Sequence, residues 1–185
     1  MKKQIISLLI IIFTFISFNI NSSEHSWKTA QDGDKVIFIR HAKAPGGGDP
    51  EEFKIEDCKT QRNLNEAGIK QSKKIGRLFK EKKIKIDQVL SSQWCRCKDT
   101  AKLAFDDFKE FSALNSTYTP PYDQNEKQQI KELRNFVSSW DGNGGNLVLV
   151  THYVIILAVT GETARSGEIV ITDKNFKVLS RINTF

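Results

Sequence analysis

Lys35-Val36-Ile37-Phe38-Ile39-Arg40-His41 and Asn146-Leu147-Val148-Leu149-Val150-Thr151-His152 decide how this chain folds. Each is a short, apolar, β-branched run that ends on a histidine. Apolar residues at consecutive positions over such a length mark a strand covered on both faces, as in parallel sheets flanked by helices. The chain has three histidines, and the third, His25, lies in a polar stretch near the N-terminus. The other two share one kind of location, the carboxyl end of a buried strand, where open α/β sheets bind ligands.

Working outward, the segments between these strands alternate in period. Pro45-Gly46-Gly47-Gly48-Asp49-Pro50 reads as a mobile loop, because no helix start follows it and the P-loop lysine pattern is absent. Asn63-Leu64-Asn65-Glu66 has the form of a capping box, with Asn63 as N-cap. The helix it predicts carries Ala67, Ile69, Ile75, Leu78 and Phe79 on one side and lysines on the other. A second strand is expected over 84–91, a helix over 95–108, and a third strand over 111–118 stopped by Pro120-Pro121. Ile130, Leu133, Phe136, Val137 and Trp140 give a helical period over 123–140, which the glycine-rich turn 141–145 ends. Runs 168–172 and 177–182 flank Asp173-Lys174-Asn175 as a hairpin. Strands alternating with helices predict a three-layer α/β/α sandwich, its sheet mainly parallel with an antiparallel edge.

The N-terminus reads differently. Lys2 and Lys3 precede the almost wholly apolar run Ile5 to Phe18, and Asn21-Ser22-Ser23 follows as a small polar tail. Fourteen residues fall short of the roughly 20 that span a bilayer, so residues 1–23 are expected to be a cleaved signal peptide and 24–185 one domain. Membrane contact is expected only through that segment, if it is uncleaved. The whole chain carries a net charge of +6, and loss of the two lysines would leave +4. So modest and dispersed an excess suits a small anionic substrate and argues against nucleic acid. In an oxidising compartment, Cys58, Cys95 and Cys97 predict one disulfide, Cys58 with either Cys95 or Cys97, and one remaining thiol. A zinc site is not expected from a single Cys-x-Cys without paired histidines.

On this scaffold Arg40, His41 and His152 lie just past their strands, and Arg96 opens the helix after the second strand. Four cationic or imidazole groups at one sheet edge are costly to bury unless an anion compensates them, and a phosphoryl group matches the arginine fork. The chain resembles the histidine phosphatase superfamily, the phosphoglycerate-mutase-like group. Arg40-His41-Ala42 is similar to its Arg-His-Gly motif, Leu64-Asn65-Glu66-Ala67-Gly68 to Leu-Thr-x-x-Gly, and Arg96-Cys97-Lys98-Asp99-Thr100-Ala101 to Arg-x-x-x-Thr-Ala. Val148-Leu149-Val150-Thr151-His152 is similar to its second histidine motif. Asp57-Cys58-Lys59-Thr60-Gln61-Arg62-Asn63-Leu64 and Trp94-Cys95-Arg96-Cys97 resemble an exported bacterial branch that includes lipopolysaccharide-core heptose phosphatases.

The resemblance implies a periplasmic or secreted phosphomonoesterase without metal or organic cofactor. His41 would be the nucleophile, with Arg40, Arg96 and His152 holding the phosphoryl oxygens. It also implies a small phosphorylated substrate or a phosphorylated envelope glycolipid. The general acid departs from the family pattern: the Leu-Asn-Glu run is Leu114-Asn115-Ser116 here, and His152 is followed by Tyr153. Asp123 and Glu126 are the nearest substitutes. The missing acid sustains an alternative, a non-catalytic module on the same fold that binds a phosphate ligand.

Overall fold

Six strands form one sheet in the computed structural model, which describes residues 24–185; the signal-like segment 1–23 lies outside the described residues. They are β1 (Val36–Arg40), β2 (Ile86–Ser91), β3 (Lys109–Glu110), β4 (Asn146–Thr151), β5 (Ile169–Thr172) and β6 (Val178–Ile182). Their order is β3-β2-β4-β1-β5-β6. β1, β2, β3 and β4 pair in parallel, whereas β5 adds antiparallel to β1 and β6 antiparallel to β5. The helices are α1 (Glu66–Glu81), α2 (Cys95–Phe105), α3 (Glu126–Ser139) and α4 (Tyr153–Thr160), and residues 24–31 are also helical.

Alternating side chains of the central strands divide the core in two. Ile37, Ile39, Val148, Val150, Ile169 and Ile171 face Trp27, Ile75 and Phe79 of the helices and Ala101 and Ala104 of α2. Val36, Phe38, Leu147, Leu149 and Val170 face Leu133 and Val137 of α3 and Ile155, Ile156 and Val159 of α4. Helices on both faces explain why β1 and β4 read as continuous apolar runs. The three-layer, mainly parallel architecture is the expected one.

Several boundaries differ from the sequence expectation. The N-cap of α1 is Asn65, whose Oδ1 accepts from the Gly68 N–H at 3.0 Å, while Asn63 Nδ2 donates to the Cys58 carbonyl at 2.6 Å. Tertiary packing fixes this start. A Cβ on Gly68 would come within 2.2 Å of the Lys43 carbonyl oxygen, so only glycine lets the first turn of α1 sit on the segment after His41. The strand expected over 111–118 does not form, and the short strand β3 ends before it at Glu110. Phe111 N–H still pairs with the Ser91 carbonyl, but 112–114 then turn into a 3-10 helix that buries Ala113 and Leu114. The helix expected over 123–140 starts at Glu126, behind a 3-10 turn at Tyr122–Asn125.

Candidate active site

Register alone brings the two strand-end motifs together. Arg40 lies opposite Thr151 in the β1–β4 pair, and the His41 N–H donates to the Thr151 carbonyl at 2.9 Å. The His41 and His152 rings consequently meet with centroids 5.5 Å apart. β2 pairs with the other side of β4 and ends at Ser91-Ser92, so the first turn of α2 delivers Arg96 to the same edge. Thr100 locks α2 to β1: its hydroxyl accepts from the Ala42 N–H at 3.0 Å and donates to the Arg96 carbonyl at 2.7 Å. The structure thus assembles Arg40, His41, Arg96 and His152 around one cavity of about 120 Å³. That leaves room for a phosphoryl group beside the four side chains.

His41 has a defined tautomer. Its Nδ1 lies 2.9 Å from its neighbour Ala42's carbonyl oxygen, which can only accept, so Nδ1 carries the proton and Nε2 the lone pair. Burial is the main cause that pushes its pKa well below the ordinary histidine value, and the positive charges of Arg96, Arg40 and Arg62 act in the same direction. Burial therefore outranks the arginine repulsion.

His152 is held by a chain of hydrogen bonds. The Gln93 N–H donates to Asn115 Oδ1 at 2.9 Å, which fixes the amide, and the Ser92 hydroxyl donates to the same oxygen at 3.2 Å. Having spent its proton there, Ser92 Oγ accepts from His152 Nε2–H at 3.0 Å. Nδ1 is left to accept, and Arg96 Nη2 stands 3.4 Å from it. Burial, then Arg96 and the other nearby positive groups, depress the pKa of His152 well below the ordinary value too. Cys97 Sγ also lies 3.4 Å from His152 Nε2. Burial pushes the Cys97 thiol up to about 12, so it stays protonated and uncharged beside the ring.

Sequence reasoning missed two charged members of the site. Asp49 closes the glycine loop and grips Arg96 with both oxygens, at 2.7 and 3.2 Å. It also accepts from Trp94 Nε1 at 3.0 Å and from the Arg62 N–H at 3.1 Å. Burial alone would raise its pKa, but the hydrogen bonds and charge of Arg96, with those of Trp94 and Arg62, outweigh it and hold the carboxylate ionised. Arg62 donates to the Gly48 and Ala44 carbonyls and so fastens that loop. Gly46, Gly47 and Gly48 line the cavity rather than forming a detached connection. The only sequence hints were an acid directly after three glycines and an arginine inside Gln61-Arg62-Asn63-Leu64.

Arg40, Arg62 and Arg96 against Asp49 leave the cavity with an excess of two positive charges, the complement of a phosphate dianion. Nε of Arg40 and Nε of Arg96 are buried without a hydrogen-bond partner. Orphaned buried donors of this kind call for an acceptor, and oxygens of a bound anion would supply one. Asp123 and Glu126 do not join the constellation. Both are exposed and outside the cavity lining; Glu126 Oε2 accepts from the Thr117 hydroxyl at 3.0 Å, and Asp123 Oδ1 from the Gln124 N–H at 3.0 Å. Ser116, Tyr118, Thr119 and Tyr153 complete the rim.

The disulfide joins Cys58 to Cys95, and Cys97 is the free, buried thiol. The bond ties the first active-site loop to the residue before Arg96, and Gln61 Oε1 adds a cap by accepting from the Cys95 N–H at 2.9 Å. Trp94 and Trp140 are buried, as packing residues should be, while Phe136 is partly buried against the core. Among the described residues, no group of three or more His, Cys, Asp or Glu could hold a metal ion, and no helix is long and apolar enough to cross a membrane.

The fold is a phosphoglycerate-mutase-like α/β sandwich, with a positively charged cavity at the carboxyl edge of its sheet. Comparison with known proteins agrees. The model of the histidine phosphatase superfamily (branch 1) matches residues 36–114, which include Arg40, His41, Asp49, Arg62 and Arg96. Solved structures with the same fold include phosphoglycerate mutase from Thermus thermophilus (TM-score 0.58, 18% identity, covering 80% of this chain and 98% of that one). A candidate phosphohistidine phosphatase SixA from Agrobacterium tumefaciens gives TM-score 0.56 and 18% identity over 82% of this chain and 98% of its own. A candidate alpha-ribazole-5'-P phosphatase from Escherichia coli K-12 gives 0.59 and 15% over 82% and 97%. No curated protein matches the chain by sequence. The family model thus covers the first part of the domain, and the solved structures share its fold.

Proposed function

We propose that the protein is a phosphomonoesterase that works through a phosphohistidine on His41. The observation that carries this reading is the His41 tautomer: Nδ1–H is committed to a backbone carbonyl, so the neutral Nε2 is the nucleophile in a cavity with two positive charges in excess. The Nε2 lone pair attacks phosphorus and the ester P–O bond breaks. Arg40 and Arg96 hold the phosphoryl oxygens, largely by position and charge, while His152, whose Nε2–H goes to Ser92, positions Arg96 through Nδ1. Asp49 is ionised and Asp123 and Glu126 stand outside the cavity, so the leaving oxygen takes its proton from water. A second water then attacks phosphorus, the P–N bond breaks, and phosphate and neutral His41 are released.

The finer reading is an exported enzyme similar to lipopolysaccharide-core heptose phosphatases, acting on a small phosphorylated substrate or a phosphorylated envelope glycolipid in the periplasm or outside the cell. The signal-like segment 1–23 and the Cys58–Cys95 bond support export. The test is phosphate release from an aryl phosphate by purified 24–185 with chelator present, together with trapping of an acid-labile, base-stable phosphoryl adduct. Turnover and an adduct that both vanish in His41→Ala are expected. Activity that persists in His41→Ala, or is lost to chelator, overturns the mechanism. Tight phosphate binding with neither adduct nor turnover establishes a non-catalytic binding module instead.

A further inference from the structure

A phosphoryl group held by His41, Arg40 and Arg96 at the floor of the cavity directs its leaving group outward, toward the cavity's rim. A trough of about 450 Å³ continues the cavity and shares Asp49 and Thr119 with it. Three aromatic rings wall the trough in a fixed cluster. Phe53 stacks on Trp94 at 5.1 Å, and Tyr122 meets Phe53 at 5.6 Å and Trp94 at 5.0 Å edge to face. It lacks the cavity's excess of positive charge, Asp49 being paired with Arg96 and Glu51 the further carboxylate. The charged side chains along it are the carboxylates of Asp49 and exposed Glu51, with no lysine or arginine among the lining residues. The Trp94 indole N–H is already committed to Asp49. Trp94 is buried behind Phe53, so the surface offers the half-buried Phe53 and Tyr122 rings and hydrogen-bond acceptors, and it does not attract a second anion.

We propose that this trough is the leaving-group subsite and that it takes uncharged or cationic ring-bearing alcohols, discriminating against those with a second phosphate or a carboxylate. The proposal rests on the phosphate-monoester reading above. A rigid aromatic wall contributes affinity without loss of side-chain freedom on binding. The acidic rim then decides which substituents the ring can carry.

Non-hydrolysable phosphonates test the subsite without turnover. Calorimetric titration of the full mature protein would compare methylphosphonate, benzylphosphonate, 4-(aminomethyl)benzylphosphonate and 4-carboxybenzylphosphonate. Benzylphosphonate is expected to bind about tenfold or more tighter than methylphosphonate. The aminomethyl compound should bind tighter still, and the carboxyl compound weaker than the parent by about threefold or more. Glu51→Lys, an exposed change, should shift the ratio of amino to carboxyl affinity about tenfold or more toward carboxyl. Equal affinities for methyl- and benzylphosphonate, or no shift in Glu51→Lys, overturn the proposal. Failure of the phosphatase reading shows separately, as absent turnover of 4-nitrophenyl phosphate in a sample that still ranks the phosphonates as expected. If no phosphonate binds, both readings fall.

Discussion

Asp49→Asn separates the two things Asp49 does, because its effects on stability and on anion binding should have opposite signs. The carboxylate is 12% exposed and Arg96 3%, so the pair is effectively buried. Breaking a buried pair costs about 3–5 kcal/mol. Asparagine keeps an acceptor for Arg96 and for the Arg62 N–H, so a loss of about 2 kcal/mol in the free protein is expected. Anion binding moves the other way. Like unit charges about 4 Å apart repel by about 1 kcal/mol even at the dielectric constant of bulk water, and a phosphate dianion beside the carboxylate inside the cavity is repelled by more. Asp49→Asn should therefore bind inorganic phosphate or vanadate about tenfold or more tightly than wild type. Thermal melts with and without phosphate, with calorimetric titration, would show a lower melting temperature in buffer and a larger phosphate-induced rise. A variant that loses stability and also binds phosphate more weakly, or no more tightly, would refute the reasoning. Asp49 would then be a positioning partner that Arg96 needs in order to meet the anion.

Three further outcomes follow from the geometry. Cys58 and Cys95 are 37 residues apart, so replacing both by serine should cost about 3.8 kcal/mol through loop-closure entropy and lower the melting temperature by about 10 °C; a fall under about 3 °C would show that the unfolded state gains little freedom. His41 and His152 have depressed pKa values in the folded state, so the unfolded chain binds more protons as pH falls. Their contribution to stability is full above the unfolded value of about 6.5 and is lost below it, by up to about 1.4 kcal/mol per pH unit for each; denaturant midpoints at pH 7.5 and 5.5 check this, and unchanged stability contradicts it. Gly76→Ala should destabilise by about 1–3 kcal/mol despite the better helix propensity of alanine, because the new Cβ would stand 2.2 Å from the Ala104 carbonyl oxygen where α1 crosses α2; an unchanged urea midpoint would show that the helices can part freely.

The sequence by itself determined the layers, the two central strands and the four residues that meet at their ends. That information is local: an apolar run of strand length cannot be solvated on either face, and a histidine at its end is carried to the sheet edge wherever the strand pairs. Arg96 was legible for the same reason, one turn into a helix that follows a strand. Only the tertiary structure decided the rest. Asp49 lies 47 residues from Arg96, and nothing in the glycine loop indicates which way it folds; the loop closes over the cavity because Arg62 fastens its carbonyls and Arg96 receives its carboxylate. Which cysteine pairs with Cys58 was equally undecided, since Cys95 and Cys97 lie on different sides of α2 and the direction of approach selects Cys95. The proton on His41 was undecided too, because it depends on a backbone carbonyl whose orientation follows from the chain leaving β1. The start of α1 moved from Asn63 to Asn65 because the contact of Gly68 with Lys43 outweighs a local capping pattern. Sequence periodicity reports which faces must be buried, whereas loop conformation, pairing and tautomer are set by groups that approach from distant parts of the chain.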